Sequence, residues 1–223
     1  MPPHGNKAVT HPHASSLDWS RYAVIRFGYS ITDFPAHVVA GNHTQSTMLA
    51  FREIRKRGYK RIGYVCHLNS STRAKAGFLM AQTELLPNQR LPILELDLRR
   101  NDGRQTLHRW IREHEPDAIL TEMAEMAAML QQLGYGVPTD IGLAVTSVLD
   151  GNADAGICQN SEEIGKAAVE TLLSLIYQNQ TGIPKLCREV LIDSAWQNGS
   201  TLPDRNRFSD KPPKPSTLRP IRC

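Results

Sequence analysis

The sequence predicts an α/β protein with parallel sheets that are covered by helices on both faces. From Asn42 onward, short apolar runs of strand length alternate with longer amphipathic segments of helix length. Short apolar runs bounded by turn residues are typical of strands buried on both faces, and repeated βα units place such strands side by side in a parallel sheet. A hydrophobic content of 40% and a charged content of 22% agree with a folded chain that buries a sizeable core.

The elements follow one another in a regular order. Two β-type runs, at 22–28 and 37–40, precede a helix over 44–57 that Gly58 closes as a C-cap. A complete α/β unit is expected over about 43–157. Its remaining elements are, in order, a strand at 61–66, a helix at 72–86, a strand at 91–96, a helix around Leu107, Trp110 and Ile111 that ends before Pro116, a strand at 118–120, a helix at 123–133 and a strand at 141–145.

A further helix is predicted to begin after Asn160. Asn160 is the expected N-cap, with Glu163 three residues on, as the capping-box pattern prefers. The buried face of this helix is predicted to consist of Ile164, Ala168, Leu172, Leu175 and Ile176.

The positive charge of the chain is concentrated in one segment. The net charge is +4, and residues 204–223 contain six basic and two acidic residues, so residues 1–203 are neutral overall. The folded part therefore lacks the electrostatic footprint of a DNA-binding protein. The proline-rich segment 204–223 is predicted to be a disordered basic tail, and the polar segment 1–17 a disordered N-terminus.

Targeting signals, metal motifs and catalytic motifs are not found in the sequence. The N-terminus lacks the pattern of a signal peptide, and no apolar run is long enough to cross a bilayer. The four cysteines are scattered without a CxxC pair, which favours reduced thiols in a cytoplasm over a disulfide framework or a metal site. P-loop, GxGxxG, GxSxG and HExxH motifs are absent. We therefore expect a cytoplasmic protein that is not an enzyme, with no catalytic residue, cofactor or metal.

The segment 157–203 carries the most specific pattern in the chain. It includes Cys-Gln-Asn-Ser-Glu-Glu-Ile-Gly-Lys-Ala-Ala-Val from Cys158, and it closes with Trp-Gln-Asn-Gly-Ser-Thr-Leu-Pro from Trp196. Together these resemble the C-terminal signature of transcription regulators of the lactose-repressor (LacI/GalR) family. Further motifs stand in the order of that family: Gly58 to Gly63, Arg73-x-x-x-Gly77-Phe78, Pro116 to Ile119, and Val137 to Gly142.

The resemblance implies a fold of the periplasmic-binding-protein-like type I, in which two α/β subdomains are joined by three crossovers and hold the effector in a cleft. Residues 18–203 would form this sensor core. One subdomain would be near-complete and the other present in part. On this mapping, 18–41 and 149–179 belong to the first subdomain, and 42–148 and 186–201 to the second.

The resemblance also suggests ligand-binding residues. Arg73 matches an arginine that grips effector hydroxyls or carboxylates, which suits a guanidinium because its rigid fork binds two acceptors at once. The motif has one extra residue before Gly77, which leaves Lys75 as the alternative. Ser147, Gln159 and Asn42 match polar positions near the pocket of the family.

Several positions depart from the family pattern. Gly41 and Ser147 replace aspartates, and Thr121-Glu122 stands where Asn-Asp is usual. These departures predict an altered effector or a degraded pocket. The alternative role for Ser147, Asn42 and Gln159 is local hinge or turn capping, and the alternative for Arg73 is a surface position on a helix.

The resemblance implies the effector-sensing domain of a regulator that binds a small ligand, a sugar by analogy, and acts as a homodimer. The DNA-reading headpiece of the family has no counterpart before Leu17, so DNA binding is expected only in a full-length form that carries a helix-turn-helix headpiece, and this chain is expected to be N-terminally truncated. The alternatives are a free-standing cytoplasmic small-molecule-binding protein of the same fold and a non-functional gene fragment.

Overall fold

The structure is a computed structural model, and it describes residues 18–30, 35–99 and 102–208. The expectation of disorder for 1–17 lies outside the described residues. The chain divides into two compact units, a smaller unit (Met1–Asn42 and Asn160–Asp193) and a larger unit (His43–Gln159 and Ser194–Cys223). It passes from one unit to the other three times.

The described residues contain nine strands and five α-helices. The strands are β1 (Ile25–Phe27), β2 (His37–Gly41), β3 (Ile62–His67), β4 (Leu94–Leu96), β5 (Ala118–Thr121), β6 (Gly142–Val145), β7 (Gly156–Cys158), β8 (Glu189–Ile192) and β9 (Ala195–Gln197). The α-helices are α1 (His43–Lys56), α2 (Thr72–Gln82), α3 (Gly103–His114), α4 (Met126–Gln132) and α5 (Ser161–Tyr177).

The larger unit is a six-stranded sheet in the order β4-β3-β5-β6-β7-β9. All its neighbouring strands are parallel except β9, which pairs antiparallel with β7 through Ile157 and Trp196. Trp196 is partly buried and packs against the core. The antiparallel β9 was not foreseen, because its three residues are only half-buried and show no strand pattern of their own.

Two apolar cores cover the two faces of this sheet. Helices α1 and α2 contribute Phe51, Ile54 and Phe78 to one core, which also contains Tyr64 from β3. Helices α3 and α4 contribute residues such as Leu107 to the other core. Each buried side chain of this size stabilises the fold by about 1.5–3 kcal/mol. The predicted doubly covered sheet is therefore present.

The motif around Gly77 has a packing role. A β-carbon on Gly77 would lie 2.3 Å from the carbonyl oxygen of Thr44. Helices α1 and α2 therefore cross at a distance that only glycine permits at this position. The glycine of the Arg-x-x-x-Gly-Phe motif thus sets how closely the two helices pack.

The smaller unit is a three-stranded parallel sheet in the order β1-β2-β8, with α5 packed on it. Ile164 and Ala168 of α5 form a buried cluster with Val39 of β2. Leu175 is buried too, but Ile176 is 52% exposed. The prediction for Ile176 is therefore wrong, because the helix turns this position away from the sheet.

Asn160 does precede α5, but it does not cap the helix as predicted. Its φ is 54°, in the left-handed region, and its side chain makes no capping hydrogen bond. Its Nδ2 instead donates to the carbonyl oxygen of Asp193 at 2.9 Å. Glu162 and Glu163 still lie in the first turn, where carboxylates interact favourably with the helix dipole.

The observed unit boundaries differ from the expected ones at three places, the first of which is Asn42, expected in the second subdomain and found in the smaller unit. Residues 149–159 group with the larger unit because β7 pairs with β6 and β9. Residues 180–193 group with the smaller unit because β8 pairs with β2. Residues 205–208 form a 3-10 helix, and the Arg205 guanidinium stacks 4.1 Å from the Tyr59 ring centre. The expected disordered tail therefore does not begin at 204, and 209–223 lie outside the described residues.

Two of the cysteines are free thiols, Cys66 in a buried position and Cys187 in an exposed one, in agreement with the expectation of reduced thiols for these two. Within the described ranges, no helix is both long enough and apolar enough to span a bilayer.

Candidate ligand-binding site

The carboxyl ends of the parallel strands define the candidate site in the larger unit. Ligands of open α/β sheets bind at this edge, because loops of variable sequence meet there beside the N-termini of the following helices. Polar residues stand at or directly after the ends of four neighbouring strands. They are His67 at the end of β3, Glu122 after β5, Thr146 and Ser147 after β6, and Gln159 after β7.

Glu122 is held in place by the neighbouring strand. Its Oε1 accepts a hydrogen bond from the backbone N–H of His67 at 3.3 Å, and Oε2 has no hydrogen-bond partner among the described residues. The preceding Thr121 is fully buried, and its hydroxyl donates to the carbonyl of Val65 at 2.7 Å while accepting from the N–H of Met123 at 3.0 Å. Hydrogen bonds to the backbone of β3 and of Met123 therefore fix Thr121 and Glu122, the pair that departs from the family pattern.

Charges of both signs act on His43. Burial lowers the pKa of His43, the positive charge of Arg73 lowers it further, and the negative charge of Glu122 opposes both. His43 and Arg73 lie in the first turns of α1 and α2, and the Oγ1 of Thr44 donates to the carbonyl of Arg73 at 3.2 Å. The charges of Arg73 and Glu122 thus both act on His43 at this edge.

Arg73 occupies an electrostatically unfavourable position in its helix. The first turn of α2 contains no acidic residue, and Ser71 makes no side-chain capping bond there. A cation at a helix N-terminus opposes the macrodipole and costs about 0.3–1 kcal/mol. Lys75, the alternative, forms an ion pair with Glu95 at 3.1 Å.

Ser147 and Gln159 lie at the same edge and take part in local contacts. Ser147 is 8% exposed, and its hydroxyl donates to Oδ2 of Asp150 at 2.7 Å. The Nε2 of Gln159 donates to the carbonyl of Thr146 at 3.3 Å. Both contacts shape the loop after β6, which fits either a ligand role or the alternative role in turn capping.

Asn42 lies in the smaller unit rather than at this edge. Its Nδ2 donates to Oδ1 of Asp193 at 3.1 Å, and its backbone N–H donates to the carbonyl of Ile192 at 2.9 Å. These contacts agree with the hinge alternative for Asn42, which remains a prediction. The βα units of the larger unit thus place Arg73, Ser147 and Gln159 at one edge. Asn42 belongs to the smaller unit.

Neither His43 nor His67 was singled out from the sequence as a candidate site residue. Their positions could have indicated a role at the site, because His67 ends β3 and His43 begins α1. Within the described residues, no group of three or more histidine, cysteine, aspartate or glutamate side chains is arranged to hold a metal ion.

The larger unit is an α/β fold in which helices cover both faces of a mostly parallel sheet. Residues 51–193 match the model of the periplasmic binding protein-like domain, and since they make up more than half of the sequence, the chain belongs to this family. No curated protein matches the chain.

Solved structures of LacI-family regulators share the fold. One is a LacI family transcriptional regulator from Enterococcus faecium with bound ribose, with a TM-score of 0.59 and 15% identity over 81% of this chain and 70% of that chain. Another is the Escherichia coli transcriptional repressor ascG, with a TM-score of 0.55 and 14% identity over 81% and 69%. A third is the complex of the transcriptional regulator CelR with cellobiose, with a TM-score of 0.56 and 13% identity over 79% and 58%. The predicted fold class is confirmed.

Proposed function

We propose that this chain is the effector-sensing domain of a LacI-family transcription regulator and that it binds a sugar at the carboxyl edge of the larger unit. The observation that carries the proposal is the grouping of Arg73, Glu122 and His43 at that edge, beside Ser147 and Gln159. The family model and the sugars bound to the similar regulators support this choice of ligand class.

The chemistry of the edge suits a neutral polyhydroxyl ligand. The guanidinium of Arg73 donates to hydroxyl oxygens, and the free Oε2 of Glu122 accepts from hydroxyl hydrogens. Charges of both signs lie close together, so a ligand with many donors and acceptors can satisfy both. A purely anionic ligand would instead be repelled by Glu122.

Sensing would follow from differential binding. A ligand that binds one arrangement of the protein more tightly shifts the population towards it, by no more than the difference between the two affinities. In a homodimer this shift would be passed to the partner subunit and then to the DNA-binding part of a regulator. The proposal assigns sensing to this chain and no DNA contact to its described residues.

Isothermal titration calorimetry with ribose and cellobiose, followed by a panel of pentoses and hexoses, tests the proposal. For the sugar that binds best, Arg73→Gln is expected to raise the Kd about tenfold or more, because a charge-assisted hydrogen bond is lost. Arg109→Gln, which removes an exposed arginine of α3, is the matched control and should leave the Kd unchanged. Binding that is equally strong in both variants contradicts the placement at Arg73, and no binding by any sugar contradicts the ligand class.

The homodimer is a separate part of the proposal. Sedimentation velocity of the 24.9 kDa chain over a range of concentrations measures it directly. A reversible monomer–dimer equilibrium supports the regulator over the free-standing binding protein. A monomer at all concentrations that still binds a sugar favours the free-standing binding protein.

A further inference from the structure

The smaller unit contains a cavity of about 430 Å³ at the amino ends of β2 and β8. Its wall is built from the C-terminal end of α5 and the turn that follows, which includes Gly182. Gly182 has a φ of +83°, and its N–H donates to the carbonyl of Tyr22 at 2.9 Å, so the turn is fixed to the rest of the unit. A volume of this size lies within the range of small-molecule sites.

His37 supplies a hydrogen-bond donor to this cavity. It is only 6% exposed, and its Nδ1 accepts a hydrogen bond from the backbone N–H of Arg188 at 3.0 Å. This contact fixes the neutral tautomer with the proton on Nε2. Burial first, and then the charge of Arg188, lower the pKa of His37, which favours the neutral ring. His37 lines the cavity, and within the described residues its Nε2 has no hydrogen-bond partner.

Two cations complete the lining. Lys185 and Arg188 both border the cavity, and no acidic side chain is among the described residues that line it. The Nη2 of Arg188 donates to Oε1 of Gln180 at 2.9 Å, which holds the guanidinium at the rim. Two full positive charges outweigh the opposing partial charge of about −0.5 at the C-terminus of α5.

We propose that this cavity binds a small molecule through an oxyanion group, either a phosphate monoester or a carboxylate, held by Lys185, Arg188 and Nε2–H of His37. Arginine and lysine are the side chains that bind oxyanions in proteins, and a neutral N–H adds a directed donor. None of these residues belongs to the candidate sugar site of the larger unit, so the two proposals are independent.

Two-dimensional NMR of the full 223-residue chain, titrated with inorganic phosphate and separately with acetate, tests the proposal. Saturable shifts are expected at the amides of Gly182 and Arg188 and at the ring of His37, and the pKa of His37 should rise because a bound anion favours the imidazolium. A response to phosphate alone assigns a phosphate-bearing ligand, and a response to acetate alone assigns a carboxylate.

The double variant Lys185→Gln/Arg188→Gln should weaken the binding of the effective anion about tenfold or more. It keeps the backbone N–H that fixes His37, so the unit is expected to fold, which circular dichroism checks. Arg73→Gln is the matched control and should leave these shifts unchanged. The proposal is overturned if neither anion gives a saturable shift at the cavity, or if the double variant binds as tightly as the parent.

Discussion

The carboxylate of Asp154 accepts two hydrogen bonds from Thr201, one from its backbone N–H and one from its hydroxyl, each at 2.8 Å. The same carboxylate accepts two bonds from Ser200 at 2.7 Å. A β-carbon on Gly199 would lie 2.3 Å from the carbonyl carbon of Asp154, so the segment must have glycine there. The Gly-Ser-Thr part of the closing signature therefore marks a contact that holds the fold together, rather than a ligand site.

Asp154→Asn is expected to destabilise the protein by about 1–2 kcal/mol, since the Nδ2 donor of asparagine then faces the donors of Ser200 or Thr201. Partial exposure of this contact to solvent limits the loss, because water screens the interaction. Urea denaturation measures the change. Glu170→Gln on the exposed face of α5 is the control and should change the free energy of unfolding by less than about 0.5 kcal/mol.

The same carboxylate predicts a pH dependence. Burial alone would raise the pKa of Asp154, but the hydrogen bonds from Thr201 and Ser200 outweigh it and lower the pKa well below its ordinary value of 3.8. The stabilisation is therefore fully present above the unfolded pKa and is lost as the pH falls towards the folded pKa. Unfolding curves below about pH 5 should show a steeper loss of stability in the parent than in Asp154→Asn. Parallel pH profiles for the two proteins would argue against this role.

Gly77→Ala is expected to destabilise the protein by about 1–3 kcal/mol, because the added carbon meets the Thr44 carbonyl oxygen in the crossing of α1 and α2. Gly165→Ala in α5 is the matched control, since nothing lies within 4 Å of its β-carbon. The control should be stabilising by about 0.5–1 kcal/mol through helix propensity. Thermal and urea unfolding of both variants check the opposite signs.

Thr121→Val removes a buried hydroxyl that serves two backbone groups at the end of β5. A loss of about 1–3 kcal/mol is expected, because the N–H of Met123 and the carbonyl of Val65 lose their contacts with it. Thr83→Val is the control, because its hydroxyl bonds only to the carbonyl of Met80 at an exposed position. A cost at Thr121 no larger than that at Thr83 would contradict the structural role.

Arg73→Gln is expected to raise the pKa of His43, and Glu122→Gln to lower it, since the two charges act on the imidazole with opposite signs. An NMR titration of the His43 ring measures both shifts. Arg109→Gln on α3 should leave the His43 titration unchanged. If the pKa of His43 is the same in all three variants, Arg73 and Glu122 do not act on His43, and the grouping of these residues at the candidate site is contradicted.

The sequence predicted the five helices well, because each carries apolar residues at helical spacing that face a sheet. The exposed Ile176 shows the limit of that spacing, because near its C-terminal end the helix turns this position away from the sheet. The short strands β7 and β9 were harder to predict, because they are defined by pairing with each other rather than by a pattern of their own.

The candidate site was predicted only in part for a related reason. Arg73 was accessible through its motif, but Arg73 and Glu122 come to the same edge only because β3 and β5 are neighbours in the sheet. Strand order is a property of the whole fold, and it cannot be predicted from the local sequence around Arg73 or around Glu122. The electrostatic interaction with His43 likewise became visible only in three dimensions.

The late position of β9 affects how the protein is made. The larger unit needs β9 and the buried Leu202 to complete its sheet and core, but these follow the entire segment 160–193 of the smaller unit. At roughly 5–20 residues per second, a ribosome needs on the order of a few seconds to synthesise that segment. During this interval the edge of β7 is open on the nascent chain, which makes it the point at which chaperones or neighbouring chains compete with native folding.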